Sequence, residues 1–153
     1  MIEAAGSGRW GAVSRRHLAV AAEQFAINVF ICYNFIKNYA IMGSYKDLII
    51  YQKAFALAME IFEISKRFPK EERFSLTDQI RRSSGSVCSN WAESYRKRLS
   101  PAHFLSKLTD SDMENTETDV WLQFSYACKY TTEEESFSLN AKNVEMGKMP
   151  VLS

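Results

Sequence analysis

The side chains with the most evident chemistry in this chain are basic and lie between positions 66 and 98. Lysine and arginine neutralise phosphates and release their counterions, so they bind a nucleic-acid backbone in a salt-dependent and sequence-tolerant way. Tyr95 offers a ring on which a base can stack. We therefore predict RNA or DNA binding by nine residues: Arg96, Lys97, Arg98, Arg81, Arg82, Lys66, Arg67, Lys70 and Arg73.

A second interpretation is that these cations pair with carboxylates of the same protein. Residues 66–98 contain nine basic and four acidic residues, whereas residues 110–135 contain eight acidic residues and one basic residue. Arg81 and Arg82 would then pair with Glu114 or Glu117, within one chain or between copies. Buried pairs of this kind fix register more than they stabilise. Both interpretations remain open from the sequence.

A metal site and a catalytic site are the enzyme alternatives. Asp112, Asn115 and Asp119 could hold a hard cation through oxygen ligands, or form a polar layer that specifies register. The E-x-x-H pattern of di-iron bundles is absent, and the only histidines are His17 and His103. No G-x-S-x-G occurs, and no cysteine has an evident histidine partner. We expect no catalytic residue, no metal and no cofactor.

Composition limits the class of protein. With 153 residues, three prolines and six glycines, the chain fits one domain built from long helices. The net charge of +1 excludes a global field that would drive nucleic-acid or membrane binding. Cys32, Cys88 and Cys128 are odd in number and far apart, which argues against disulfides and predicts a cytoplasmic protein.

The first 41 residues differ in character from the rest. Their apolar stretch is interrupted by charged and amide residues, so we expect neither a membrane anchor nor a signal peptide. Either Met42 is the true start, or the stretch forms an extra amphipathic helix. The predicted domain is accordingly 42–153.

Hydrophobic periodicity predicts four helices, the first from Leu48 to Phe68, where Pro69 ends it. Two apolar stripes lie roughly 120° apart on this helix, so it needs more than one neighbour. One stripe comprises Leu48, Tyr51, Phe55, Met59 and Phe62; the other comprises Ile50, Ala54, Leu57, Ile61, Ile64 and Phe68.

The second helix begins at Ser75, whose spacing to Asp78 resembles a capping box. Its inward stripe mixes apolar residues with small residues that let helices approach closely. The stripe consists of Leu76, Ile80, Ser83, Ser84, Val87 and Trp91.

The third helix begins with Ser100 as N-cap and Pro101 at the first helical position. One face carries Phe104, Leu108, Leu122 and Tyr126. Because the opposite face is also apolar, we expect burial both within a bundle and against another subunit. Oligomer contact or inter-helix pairing is predicted for Met113, Val120, Phe124, Glu114 and Glu117.

Thr132 and Glu135 form a second capping box, before a weaker last helix that reaches about Met149. The apolar stripe of this helix is Phe137, Ala141 and Val144. Short connections between four such helices predict an all-α, antiparallel up-down four-helix bundle.

Three stretches together carry a resemblance to a known family: YKDLIIYQKAF, FPKEERFSLTDQIRRSSGSVCSNWAESYRKR and FLSKLTDSDMENTETDVWLQFSYACKY. They resemble the proteins encoded in 23S rRNA intervening sequences, to which the accessory variability protein of diversity-generating retroelements is related. The resemblance covers about residues 44–149. The matching positions are Gln79, Ile80, Arg81, Arg82, Ser83, Ser84, Ser89, Asn90, Ala92, Glu93, Glu114, Glu117, Thr118 and Trp121.

The resemblance implies an up-down four-helix bundle that assembles as a ring-like homopentamer. The retroelement relatives are basic, bind nucleic acid and associate with a reverse transcriptase, whereas no activity is established for the rRNA-encoded members. It labels no residue of this chain as catalytic. We therefore predict a non-enzymatic scaffold associated with nucleic acid; the alternative is a purely structural or decaying product with no ligand.

The chain departs from the family pattern in three places. Relatives begin near the tyrosine that is Tyr45 here, which supports Met42 as the start. Trp91 and Ser94 stand where relatives have a smaller apolar residue and a glycine. Pro150 interrupts the end of the last helix, since proline is poorly tolerated in a helix interior.

Overall fold

The computed structural model describes residues 43–148, together with Glu23, Ile27 and Phe30, which are helical and exposed. The predictions for the rest of residues 1–42 and for residues 149–153 lie outside this range. The described chain contains four α-helices and no strand. They are α1 (Ile49–Ser65), α2 (Leu76–Arg96), α3 (Pro101–Ala127) and α4 (Glu133–Lys148), with 3-10 turns at Tyr45–Asp47 and Lys70–Phe74.

The four helices form an antiparallel bundle, as predicted. Each helix packs against the next in the chain, and α4 returns to α1. Three ion pairs across the α1–α4 seam show the opposed directions of these helices, because the numbers rise on α1 as they fall on α4. The pairs are Lys53–Glu145, Glu60–Lys142 and Arg67–Glu135.

The inner face of α2 is the one the sequence predicted. All six residues of its predicted stripe are buried, from Leu76 to Trp91. On α1, the stripe that contains Ile50 and Ile61 faces the core, while Phe55, Met59 and Phe62 remain exposed. The prediction that α1 presents apolar side chains in two directions is therefore confirmed.

The predicted inner faces of α3 and α4 need correction. Tyr126 is exposed, because the inward position of the last turn of α3 is occupied by Ser125. On α4, the stripe of Phe137, Ala141 and Val144 faces outward. Leu139, Asn143 and Met146 point inward instead, because Asn143 forms hydrogen bonds with Asn115 on α3 and so fixes the rotation of the helix.

All three predicted helix starts are present, and α2 begins at Leu76 after its N-cap Ser75. Pro101 is the first residue of α3 after the N-cap Ser100. At α4, the Glu135 N–H donates to Thr132 Oγ1 at 3.2 Å, and the Thr132 N–H donates to Glu135 at 3.0 Å.

The capping box predicted for α2 is wrong. Ser75 does not cap the helix with its side chain; its hydroxyl donates to the Glu72 carboxylate. That carboxylate takes over the role of the cap, since it accepts the Leu76 N–H at 3.4 Å.

The middle of the core is polar. Ser83 on α2 and Thr118 on α3 are both fully buried, and their hydroxyl oxygens lie 2.9 Å apart. Asn115 and Asn143 donate to each other's backbone carbonyls at 3.2 and 3.1 Å. Such pairs specify which residues of two helices face each other, because a shifted register would leave buried amides without partners.

Candidate nucleic-acid interface

The nine cations predicted to bind nucleic acid occupy two separate ends of the bundle. Helix α2 has 21 residues, so its ends are about 30 Å apart. Arg96, Lys97 and Arg98 lie at the end beside the start of α1; there, the Tyr95 hydroxyl donates to the Gly43 carbonyl. We call this group the RKR end. Lys66, Arg67, Lys70, Arg73, Arg81 and Arg82 belong to the opposite half, near the α1–α2 connection, which we call the connection end.

The RKR end leaves two cations available. Arg96 and Lys97 are exposed and form no ion pair with any described residue. Arg98 is anchored instead, since its guanidinium lies 4.3 Å from the Tyr95 ring and donates to the Tyr95 carbonyl at 2.8 Å. Tyr95 itself is only 4% exposed, so it cannot serve as the stacking platform that the sequence suggested.

Three of the six cations at the connection end form ion pairs within the chain. Lys66 pairs with Glu63 at 2.7 Å, and Arg67 pairs with Glu135. Lys70 and Arg73 lie in the 3-10 turn without an ion pair to a described residue, and Arg73 lies over the Phe74 ring at 5.4 Å. Fewer cations are therefore free to bind a phosphate at the connection end than its number of basic residues suggests.

Arg81 and Arg82 are adjacent in sequence but contact different helices, because successive residues of a helix point about 100° apart. Arg82 lies 3.5 Å from Glu117 on α3, as the pairing interpretation expected. Arg81 turns to α1, where it donates to Ser65 Oγ at 2.7 Å and lies 4.6 Å from the centre of the Phe62 ring. It has no carboxylate partner among the described residues.

Like Asp112 and Asp119, Glu114 is a carboxylate on α3 that has no ion pair among the described residues. Arg82 nevertheless lies near enough to stabilise its charge. Partial burial raises the pKa of Glu114, and repulsion from Glu117 and Asp110 raises it further. An additional cation at this position would relieve that repulsion.

Two outer surfaces of the bundle are apolar. An open groove of about 460 Å³ runs between α1 and α2, with Phe55, Met59 and Phe62 on one wall and Gly85, Ser89 and Ala92 on the other. We call it the α1–α2 groove. Met113, Val120 and Phe124, which are 66%, 42% and 52% exposed, form the α3 ridge. The sequence predicted the ridge but missed the groove, which depends on how α1 and α2 pack.

A second feature that the sequence did not reveal is the set of contacts made by Lys107. Its ammonium lies 3.0 Å from Glu93 and 3.2 Å from Asp110, and it donates to Asn90 at 3.3 Å. The bonds to Glu93 and Asp110 raise the pKa of Lys107. This cation joins α2 to α3 and is therefore occupied within the chain. The spacing from Lys107 to Asp110 was a local signal, but the contact with Glu93 could come only from the fold.

The three residues considered as possible oxygen ligands, Asp112, Asn115 and Asp119, do not converge. Asn115 faces the core, Asp112 is exposed, and Asp119 is half-buried and accepts from Gln123. Within the described residues, no group of three or more His, Cys, Asp or Glu side chains could hold a metal ion. Burial raises the pKa of the Cys88 thiol to about 11, which keeps it protonated and weakly nucleophilic.

No helix in the part of the chain that the structure describes is long and apolar enough to cross a membrane. The antiparallel arrangement of four helices defines the class of this protein as a four-helix bundle. The chain belongs to the family described as 23S rRNA-intervening sequence protein, whose sequence model matches residues 46–151. This confirms the family that the sequence resembled.

Among solved structures, the chain is similar to a protein of unknown function from the S23 ribosomal protein family of Bacteroides thetaiotaomicron. The two share 29% sequence identity, and the superposition has a TM-score of 0.62. The match covers 67% of this chain and 95% of that chain. No curated protein matches the sequence.

Proposed function

We propose that this chain is a non-enzymatic, self-associating bundle that binds the phosphate backbone of RNA or DNA through its RKR end. The observation that carries the proposal is the pairing difference between the two ends. No cation of the RKR end forms an ion pair with a described residue, and Arg96 and Lys97 are exposed. At the connection end, three of the six cations are ion-paired.

The RKR end suits a backbone better than a specific base sequence. Arg96 and Lys97 lie at the last residue of α2 and just beyond it, and Arg98 is fixed beside them by the Tyr95 carbonyl. Charged side chains on a rigid helix end contact phosphates without reading base edges. Affinity then depends on how many phosphates are neutralised at once, and self-association multiplies that number.

Self-association is supported by the apolar outer surfaces. Large apolar side chains are exposed along α1, α3 and α4, among them Phe55, Phe124 and Phe137. Contiguous exposed apolar surface on a small domain marks a site of protein contact. Family membership agrees with this proposal, because the resemblance described above implies a ring-like homopentamer.

The test is a titration of the full chain against structured RNA and duplex DNA at several salt concentrations. We expect the logarithm of the affinity to fall linearly with the logarithm of salt concentration, with a slope of about 0.7–0.9 per phosphate contacted. Changing Arg96, Lys97 and Arg98 together to glutamine should flatten that slope while leaving oligomer mass unchanged.

The matched control changes three ion-paired cations, Lys66, Arg67 and Arg82, to glutamine. It removes the same formal charge, so an equal loss of affinity in both variants would mean that only net charge matters. No binding by the wild-type chain even at low salt would support the alternative function, a structural bundle without a ligand. The ion pairing of the connection end is the observation that favours this alternative, since it shows charges used for folding.

A further inference from the structure

The α1–α2 groove and the α3 ridge are complementary in shape and chemistry. The groove has apolar side chains on α1 and small residues on α2, and a Cβ atom at Gly85 would meet nothing within 4 Å. The ridge presents protruding side chains, Met113, Val120 and Phe124, on the outer side of α3. Apolar knobs facing a wall of small residues are the usual arrangement when two helices pack closely.

The two surfaces also match in length. From Tyr51 to Phe62 the groove spans eleven helical steps, and the ridge from Met113 to Phe124 spans the same number. At 1.5 Å per residue, each is about 16 Å long. A helix such as α3 can therefore fill the whole groove rather than part of it.

Charge fixes the direction in which the ridge would enter. Arg81 lies at the Phe62 end of the groove and has no carboxylate within the described chain. Glu114 lies at the Met113 end of the ridge and has no ion pair in the same range. Placing Glu114 beside Arg81 sets Phe124 beside Tyr51, so that the incoming α3 runs antiparallel to α1.

We propose that the α1–α2 groove receives the α3 ridge of a second copy of this chain, with Glu114 of the incoming copy paired to Arg81. The inference rests on the self-association in the proposed function and names the surfaces that produce it. The groove and the ridge are different surfaces of one molecule, so the contact is heterologous. Heterologous contacts repeat head to tail and close into a ring when the rotation permits.

A charge swap in the full chain tests this contact. Arg81→Glu and Glu114→Arg each place like charges across the interface and should raise the dissociation constant of the assembly about tenfold or more. The double variant restores opposite charges and should recover most of that loss. Sedimentation velocity over a range of protein concentrations measures the assembly, and circular dichroism confirms that each variant folds.

Two further variants keep the test independent of how Arg81 contributes to folding. Gly85→Leu fills the groove from a position that has open space in the single chain, and should also dissociate the assembly. As the matched control, Arg67→Glu with Glu135→Arg swaps a pair that lies across the α1–α4 seam of one chain, and should leave the mass unchanged.

The outcomes separate this inference from the proposed function. A wild-type chain that stays monomeric at all concentrations overturns this inference and the self-association in the proposed function, whereas backbone binding by the RKR end is tested separately by the salt titration. An assembly that survives Glu114→Arg and Gly85→Leu overturns only the groove-to-ridge contact. Loss of assembly in Phe137→Glu but not in Glu114→Arg would assign the occupant to α4 and likewise reject the proposal.

Discussion

Helices α2 and α4 occupy equivalent places in the bundle, because each packs against both α1 and α3. The apolar pattern of the sequence predicts the buried face of α2 correctly but not that of α4. On α2, the face with the clearest apolar periodicity is buried, whereas on α4 the apolar stripe of Phe137 and Val144 faces outward and Asn143 faces inward. The buried face of α4 also carries Leu139 and Met146, so two apolar stripes compete on this helix, and the buried stripe is the one that contains the hydrogen-bonded Asn143.

The prediction with the largest expected effect compares substitutions on the two faces of α4. Leu139 is 1% exposed, so Leu139→Ala leaves a cavity and should lower the free energy of unfolding by about 2–5 kcal/mol. Phe137 is 77% exposed, and Phe137→Ala should change it by about 0.5 kcal/mol or less in the dissociated chain. On α2, Ile80→Ala should resemble Leu139→Ala, since Ile80 is also 1% exposed. Urea unfolding of the three variants measures this, and a larger loss for Phe137→Ala would reverse the assignment of the faces.

The buried face of a helix can be predicted from the sequence when the residues that decide it lie on that helix, and cannot when the deciding contact is with a distant residue. The face of α2 was predictable because Leu76, Ile80, Val87 and Trp91 repeat at helical spacing and no other stripe competes with them. For α4, the deciding partner is Asn115, which is 28 residues away in the sequence. Local periodicity counts Asn143 as polar and so selects the wrong stripe.

For the candidate interface, too, the sequence predicted which residues are involved but not which contacts they make. The identity of the nine cations came from the sequence, and so did the possibility that Arg82 pairs with Glu117. Which cations are compensated depended on contacts between distant residues, such as Arg67 with Glu135. The groove was not predictable either, because its two walls belong to different helices.

The second test asks how much the polar contact on α4 contributes. Asn143→Ala removes the side-chain donor to the Asn115 carbonyl and should cost about 1–3 kcal/mol of unfolding free energy, since that carbonyl stays buried. The matched change on α2 is Ser83→Ala. Its cost should be smaller, because Thr118 keeps its bond to the Glu114 carbonyl at 2.9 Å. Equal costs for the two variants would contradict a special role for Asn143.

The third test compares the helix starts. Thr132→Ala removes the cap of α4 and should cost about 1 kcal/mol, whereas Asp78→Ala on α2 should cost about 0.5 kcal/mol or less because no capping box forms there. Thermal unfolding at neutral pH measures both effects. An equal loss in the two variants would mean that the Ser75–Asp78 spacing stabilises α2 after all.

The start of α4 also predicts a pH dependence. The Thr132 N–H lowers the pKa of Glu135 below its ordinary value of 4.5, and Arg67 lowers it further. A lowered pKa in the folded state means that the stabilisation is complete above pH 4.5 and disappears as the pH falls through the folded value. Glu135→Gln should remove this part of the acid dependence, which unfolding curves between pH 2 and 6 would reveal.

The smallest expected effect is the difference in stability between alanine substitutions at Gly85 and Gly147, the two helical glycines of the described chain. Gly85 on α2 has open space at its Cβ position, so Gly85→Ala should stabilise the dissociated chain by about 0.5–1 kcal/mol through helix propensity. Gly147 on α4 would place a Cβ 3.1 Å from Asn115 Nδ2. Gly147→Ala should therefore gain nothing or lose stability, because Asn115 must shift and its bond to the Asn143 carbonyl lengthens. Equal stabilisation of both variants in thermal unfolding would show that the Asn115–Asn143 contact is loose, and that apolar burial alone sets the rotation of α4.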